Sequence, residues 1–188
     1  VLAELVGEAG FPSGVVNVVT GWGPEVGKAL TSHTGVDKIA FTGSTQVGKL
    51  IAHAAADNLT RVTLELGGKS AQVVFPDADL NAAANGVIAG VFAATGQTCM
   101  AGSRLVVHED VKDALVERVV ARARTIKIGN PLDPETEMGP MATDKQYETV
   151  LSHFASAREQ GATFACGGSP VEGLGGWFVE PTVLVDTT

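Results

Sequence analysis

Between residues 15 and 66, short β-branched runs alternate with helix-forming ones, and that order restricts the fold more than any other feature of the chain. Val15-Val16-Asn17-Val18-Val19 reads as a strand, because branched side chains pack well on a pleated surface. Thr20-Gly21-Trp22-Gly23-Pro24 turns the chain into a helix ending near Ser32, with proline in the first turn where its missing N–H costs nothing. Residues 38–41 give a second strand, Thr42-Gly43-Ser44 a turn, residues 45–56 a second helix and residues 61–66 a third strand. Strand, helix, strand, helix, strand is the pattern of a parallel, Rossmann-like sheet, and such sheets bind ligands at the carboxyl ends of their strands. A helix tail over residues 1–8, ended by Gly10 and Pro12, leads into this unit.

Gly43 and Ser44 stand at one of these carboxyl ends. The helix they open has unpaired N–H groups in its first turn and a dipole that favours an anion. A phosphate site and an ordinary helix start with Ser44 as N-cap both account for the residues. Gly43-Ser44-Thr45-Gln46-Val47-Gly48 departs from the G-x-G-x-x-G fingerprint, so a dinucleotide does not follow from that motif.

Leu66-Gly67-Gly68-Lys69 marks the expected domain boundary, giving one domain over residues 1–66 and a second over 67–188. In the second, a β-rich run at residues 70–75 precedes a helix with Asp77 and Asp79 as capping residues. Leu80, Ala83, Ala84, Val87, Ile88 and Val91 recur along it at helical spacing. Residues 104–108 form a strand and Asp110 caps a helix ending near Arg124. Thr143 and Gln146 have capping-box spacing at the start of a helix through Gln160. Residues 163–166 and 177–185 read as strands around a glycine-rich loop.

Composition narrows the function classes. The 188 residues are 45% hydrophobic with a net charge of −8, and no basic run is long enough to track a nucleic acid backbone. The longest apolar run, residues 87–94, is too short to span a bilayer, so no membrane partner is expected. The four histidines and two cysteines lack ligand spacing, so no metal is expected, and two thiols in a chain of this size suggest a reducing compartment, the cytoplasm. Opening at Val1 inside a helical run, the sequence reads as an internal fragment.

Cys99 lies in the small, turn-rich stretch Gly96-Gln97-Thr98-Cys99-Met100-Ala101-Gly102-Ser103-Arg104, between an apolar helical run and a strand. A thiol on such a loop is open to substrate and to backbone N–H donors, whereas one inside an element is usually packed and inert. Alone, the spacing also fits a small buried residue, which is the simplest reading of Cys166. Upstream stand Leu64-Glu65-Leu66-Gly67-Gly68-Lys69-Ser70 and Phe41-Thr42-Gly43-Ser44-Thr45. In this order, over residues 9–185, the three motifs resemble the aldehyde dehydrogenase superfamily.

The resemblance implies the end of a Rossmann-like cofactor domain followed by part of an α/β catalytic domain. It makes Cys99 the nucleophile and Glu65 the general base. Gly43 and Ser44 would hold the cofactor phosphates, with Phe41, Val47, Leu66 and Gly67 beside the cofactor and Gly23 and Gly27 on its adenosine side. Gln146 matches a residue near the cofactor ribose in relatives, but its capping role explains it. The implied reaction is NAD(P)-dependent oxidation of a small-molecule aldehyde to a carboxylic acid through a cysteine thioester, with NAD slightly favoured over NADP. A homodimer or homotetramer is implied for the full-length parent. Alternatives are an acyl-transferring relative that uses coenzyme A, disfavoured by Glu65, and a non-catalytic homologue, disfavoured by Cys99 and Glu65 together. An oxyanion-donating asparagine, an adenosine-binding lysine and a nicotinamide-side glutamate and phenylalanine are expected outside these 188 residues.

Overall fold

The computed structural model describes residues 1–187 and has an α/β fold in two units, Val1–Leu66 and Gly67–Thr188. In the first unit, helix α1 (Leu2–Glu8) precedes a π-helical turn, Gly23–Gly27, that runs into α2 (Lys28–Thr31). Strand β1 (Lys38–Gly43), helix α3 (Thr45–Asn58) and strand β2 (Arg61–Leu66) then form a parallel β-α-β unit. Its register pairs Phe41 with Leu64, Thr42 with Glu65 and Gly43 with Leu66. Buried Ile51 and Ala55 line the inner face of α3, and Leu59 ends it in a left-handed conformation (φ 55°).

The expected strand at residues 15–19 is not formed. A parallel strand exists only by pairing with a neighbour, and none of the described residues pairs with this run. Local turns take its place: the Val15 N–H donates to the Pro12 carbonyl (3.2 Å) and Asn17 Nδ2 to the Gly14 carbonyl (2.9 Å).

In the second unit, β3 (Ala71–Val74) pairs in parallel with β4 (Arg104–Val107), and α4 (Leu80–Phe92) and α5 (Glu109–Ala123) pack against each other. Helix α6 (Asp144–Glu159) leads to β5 (Thr163–Cys166), which pairs antiparallel with β6 (Val183–Val185). The core gathers Val74, Ala84, Val87, Ile88, Leu115, Val119, Ala123, Ile126, Met138 and Cys166. Leu115 is fully buried, and a side chain of that size is worth about 1.5–3 kcal/mol when taken from water. A smaller cluster of Met141, Phe154 and Val179 lies under α6.

Three local expectations change. The N-cap of α5 is His108, whose Nδ1 accepts from the Asp110 N–H (3.3 Å), so Asp110 sits inside the first turn as a dipole-compensating acid. Asp79 alone caps α4, its carboxylate accepting from the Asn81 and Ala82 N–H groups (2.8 and 3.0 Å). Those two bonds hold its pKa below the usual carboxylate range. The strand expected over residues 177–185 shrinks to β6 and an isolated bridge between Val179 and Pro170. Pro181 supplies no N–H in the middle of that run. Thr143 caps α6 as its spacing indicates, its hydroxyl accepting from the Gln146 N–H (3.1 Å).

Candidate active site

The carboxyl ends of β1 and β2 bring Phe41, Gly43, Ser44, Glu65 and Leu66 together within the first unit. Ser44 is extended (φ −73°, ψ 148°), and its hydroxyl accepts from the Val47 N–H at 3.2 Å. That bond satisfies one of the four orphan donors of the 14-residue α3, and the N–H groups of Thr45 and Gln46 precede it at the positive end of the dipole. Gly43 has a steric reason to be glycine: a Cβ there would stand 2.5 Å from the Phe41 ring. Glu65 is exposed at the end of β2. The Val47 side chain is exposed as well, and Leu66 is half-buried.

Gly48 was not singled out from the sequence as part of this site, yet it sets the site's dimensions. It is buried in α3, and a Cβ on it would lie 2.7 Å from the Leu66 side chain. Its bare backbone therefore lets α3 approach β2, the function served by the last glycine of a dinucleotide fingerprint. A glycine inside an otherwise good helix was the available signal, since it costs about 1 kcal/mol against alanine unless packing requires it. Gly23 and Gly27 bound the π-helical turn, and a Cβ on either, or on Gly67, would meet nothing within 4 Å. Packing within the described residues does not explain those three glycines.

Cys99 belongs to the second unit, in the connection from α4 to β4. After Phe92 the chain makes a tight turn, Ala93–Gly96, in which Ala94, Thr95 and Gly96 all have left-handed backbones (φ 48°, 59° and 71°). For alanine and β-branched threonine such conformations cost on the order of 1–3 kcal/mol each. The loop beyond is pinned to its surroundings. The Gly102 N–H donates to the Gly90 carbonyl (2.8 Å), Gln72 Nε2 donates to the Gly102 carbonyl (2.8 Å), and Ala101 N–H closes a turn onto the Thr98 carbonyl (3.2 Å). The thiol of Cys99 is free and exposed, and none of the loop's hydrogen bonds among the described residues uses the Cys99 N–H as donor. Cys166 contrasts with it: burial pushes that thiol's pKa up and its S–H donates to the Pro181 carbonyl (3.6 Å), so it is packed and inert.

Gly68 lies under the Cys99 loop, where an added Cβ would stand 3.3 Å from the Cys99 carbonyl oxygen. Its backbone needs no left-handed conformation, so alanine is allowed there and tests the contact alone. Gly68→Ala is expected to displace Cys99 slightly, which in an enzyme that uses this thiol as its nucleophile lowers kcat by about tenfold. The midpoint of thermal unfolding should barely move. An unchanged kcat would show that the loop absorbs the methyl group at no cost to Cys99.

Residues 1–188, the whole chain, match the family model described as Aldehyde dehydrogenase family. The chain belongs to the aldehyde dehydrogenase family. It is 51% identical to Aldehyde dehydrogenase 1A1 of Oryctolagus cuniculus over 188 residues, covering 100% of this chain and 38% of that protein. Against Retinal dehydrogenase 2 of Gallus gallus it is 52% identical over 190 residues, covering 100% of this chain and 36% of that protein. Among solved structures, PnpE in complex with nicotinamide adenine dinucleotide superposes with a TM-score of 0.94 at 48% identity, over 97% of this chain and 38% of that one. The NAD+ complex of aldehyde dehydrogenase from Bacillus cereus gives 0.94 at 47% identity, over 99% and 38%. This aldehyde dehydrogenase chain thus spans a little over a third of the length of these relatives. No helix among its described residues is long and apolar enough to cross a membrane.

Proposed function

We propose that this chain is part of an NAD(P)-dependent aldehyde dehydrogenase that oxidises an aldehyde to a carboxylic acid. In this reading residues 1–66 belong to the cofactor domain and residues 67–188 to the catalytic domain. The observation that carries it is the exposed, free Cys99 on a hydrogen-bonded loop of a chain in this family.

The fit of a dinucleotide rests on the start of α3, where the Thr45 and Gln46 N–H groups stand beside Gly43 and Ser44 at the end of a parallel strand. Gly43 and Ser44 are assigned to the phosphates. Phe41, Val47, Leu66 and Gly67 are assigned to the cofactor's neighbourhood, and Gly23 and Gly27 to its adenosine side. NAD is preferred to NADP, in keeping with the relatives solved in complex with NAD. When bound, the nicotinamide supplies the acceptor for the two electrons and the hydrogen of the aldehyde carbon.

The chain's own residues supply the rest. The Cys99 thiolate attacks the aldehyde carbon, the new bond joins sulfur to carbon, and the displaced carbonyl electron pair collects on oxygen. The Cys99 N–H, which donates to no partner among the described residues, is assigned to that oxyanion. Oxidation leaves the acyl group on Cys99 as a thioester. Glu65 takes a proton from water, the water oxygen attacks the thioester carbon, and the carboxylic acid leaves as the Cys99 thiolate is restored. A carboxylate exposed at the end of β2 suits an acceptor that arrives from solvent. Purified full-length parent incubated with NAD and an aldehyde panel should release one carboxylic acid per reduced cofactor, measured by product chromatography against absorbance. Accumulation of an acyl-coenzyme A only when coenzyme A is added would move the protein to the acyl-transferring class.

A further inference from the structure

The left-handed turn before Cys99 is held by contacts distant in sequence. Thr95 Oγ1 donates to the Gly139 carbonyl at 2.9 Å and is buried. The Gln97 carboxamide uses both ends: Oε1 accepts the Ala142 N–H (2.8 Å), while Nε2 donates to the Ala94 carbonyl (3.1 Å) and the Pro140 carbonyl (3.4 Å). Only a side chain that both donates and accepts serves those partners, which makes glutamine specific here and glutamate a poor substitute. The other half of the clamp is fixed at both ends. Met138 is buried in the main core, and Met141 is buried in the cluster under α6, its N–H donating to the Trp177 carbonyl at 2.8 Å.

We propose that Thr95 and Gln97 are positioning residues for Cys99, clamping the left-handed turn at residues 94–96 onto the loop at residues 139–142. The inference rests on the reading of Cys99 as nucleophile. Without the clamp, alanine and threonine favour the right-handed helical region, so residues 93–96 would extend α4 past Phe92. Helix continuing through that turn carries Cys99, three residues beyond it, away from the position in which Gly102 closes onto Gly90. The clamp thus selects one of two backbone states, and it refers the sulfur's position to the buried core.

The test uses the full-length parent and two readouts. One is kcat and KM for aldehyde oxidation. The other is the burst of p-nitrophenolate from p-nitrophenyl acetate, which reports acylation of the Cys99 sulfur with no cofactor present. In that step the thiolate bonds to the acetyl carbon and p-nitrophenolate leaves with the electron pair. Gln97→Ala and Gln97→Glu are expected to slow both kcat and the acylation burst by about 10- to 100-fold, the scale of a small misplacement of a reacting group. KM values should stay within about threefold, because the binding surfaces are untouched. Adding Ala94→Asn to Gln97→Ala should recover most of the burst rate, since asparagine tolerates the left-handed region that alanine resists. A residue needed only for folding would not be rescued in this way. If the Gln97 variants fold poorly, the pair Thr95→Val and Thr95→Ser reads the same clamp, with loss expected for valine and retention for serine.

Wild-type acylation by Gln97→Ala, or no recovery on adding Ala94→Asn, would overturn the clamp while Cys99→Ser remained inactive. An active Cys99→Ser parent would instead overturn the nucleophile assignment and the clamp with it.

Discussion

Cys99→Ser in the full-length parent should lose at least about a thousandfold in kcat for aldehyde oxidation, because it exchanges a reactive thiolate for a hydroxyl with no dedicated base. Cysteine at neutral pH carries a few per cent thiolate, which is intrinsically nucleophilic, whereas an unassisted serine is essentially all neutral alcohol. The change is small in volume and falls on an exposed side chain, so stability is not the route to the loss. Reduced-cofactor absorbance measures the rate, and thermal unfolding checks that the protein is folded. Retention of activity within about tenfold of wild type would remove Cys99 from the chemistry. Cys166→Ser is the matched control. Its thiol is buried and bonded to a carbonyl, and its replacement should cost stability rather than turnover.

Glu65→Gln should separate the two halves of the reaction. Glutamine keeps the shape and the exposed position at the end of β2 but cannot take a proton from water. In the proposed mechanism acylation of Cys99 does not use this group, so the first turnover of reduced cofactor should appear at close to the wild-type rate. Hydrolysis of the thioester should then slow by about 10²–10⁴-fold, the usual worth of a positioned base. Stopped-flow traces would show a retained burst followed by a shallow steady state. A burst reduced as severely as turnover would place Glu65 in the first half-reaction and leave the hydrolytic base unassigned.

The parts of the fold readable in the sequence are those with local causes. Strands β1 and β2 are short runs of apolar and β-branched residues that stop at glycine, and Ser44 and Thr143 stand one residue before helices that need a cap. Residues 15–19 have the composition of a strand and none of its structure, because pairing depends on a neighbour and not on the run itself. The π-helical turn over Gly23–Gly27 follows the same logic: Pro24 announces a helix start, while the widened hydrogen-bond spacing leaves no trace in composition.

At the proposed site, Cys99, Glu65, Gly43 and Ser44 were legible as candidates because a few short motifs carry them. Thr95 and Gln97 were not. Their partners lie 44 and 45 residues further on, and a threonine in a left-handed turn violates the local preference by which sequence is read. His108 shows a milder form of the same difficulty, since an imidazole caps α5 where an aspartate two residues later looked the better candidate.

The missing methyl group of Gly48 acts as a spacer gauge. Leu66 rests against that bare backbone, and Leu66 is the residue that follows Glu65 along β2, while Gly48 lies one helical turn beyond Ser44 along α3. The first turn of the helix and the carboxylate at the end of the strand are therefore linked through one contact, a leucine side chain against a bare peptide. A residue larger than glycine at position 48 would require the Leu66 side chain to give way, next to Glu65 on the same strand.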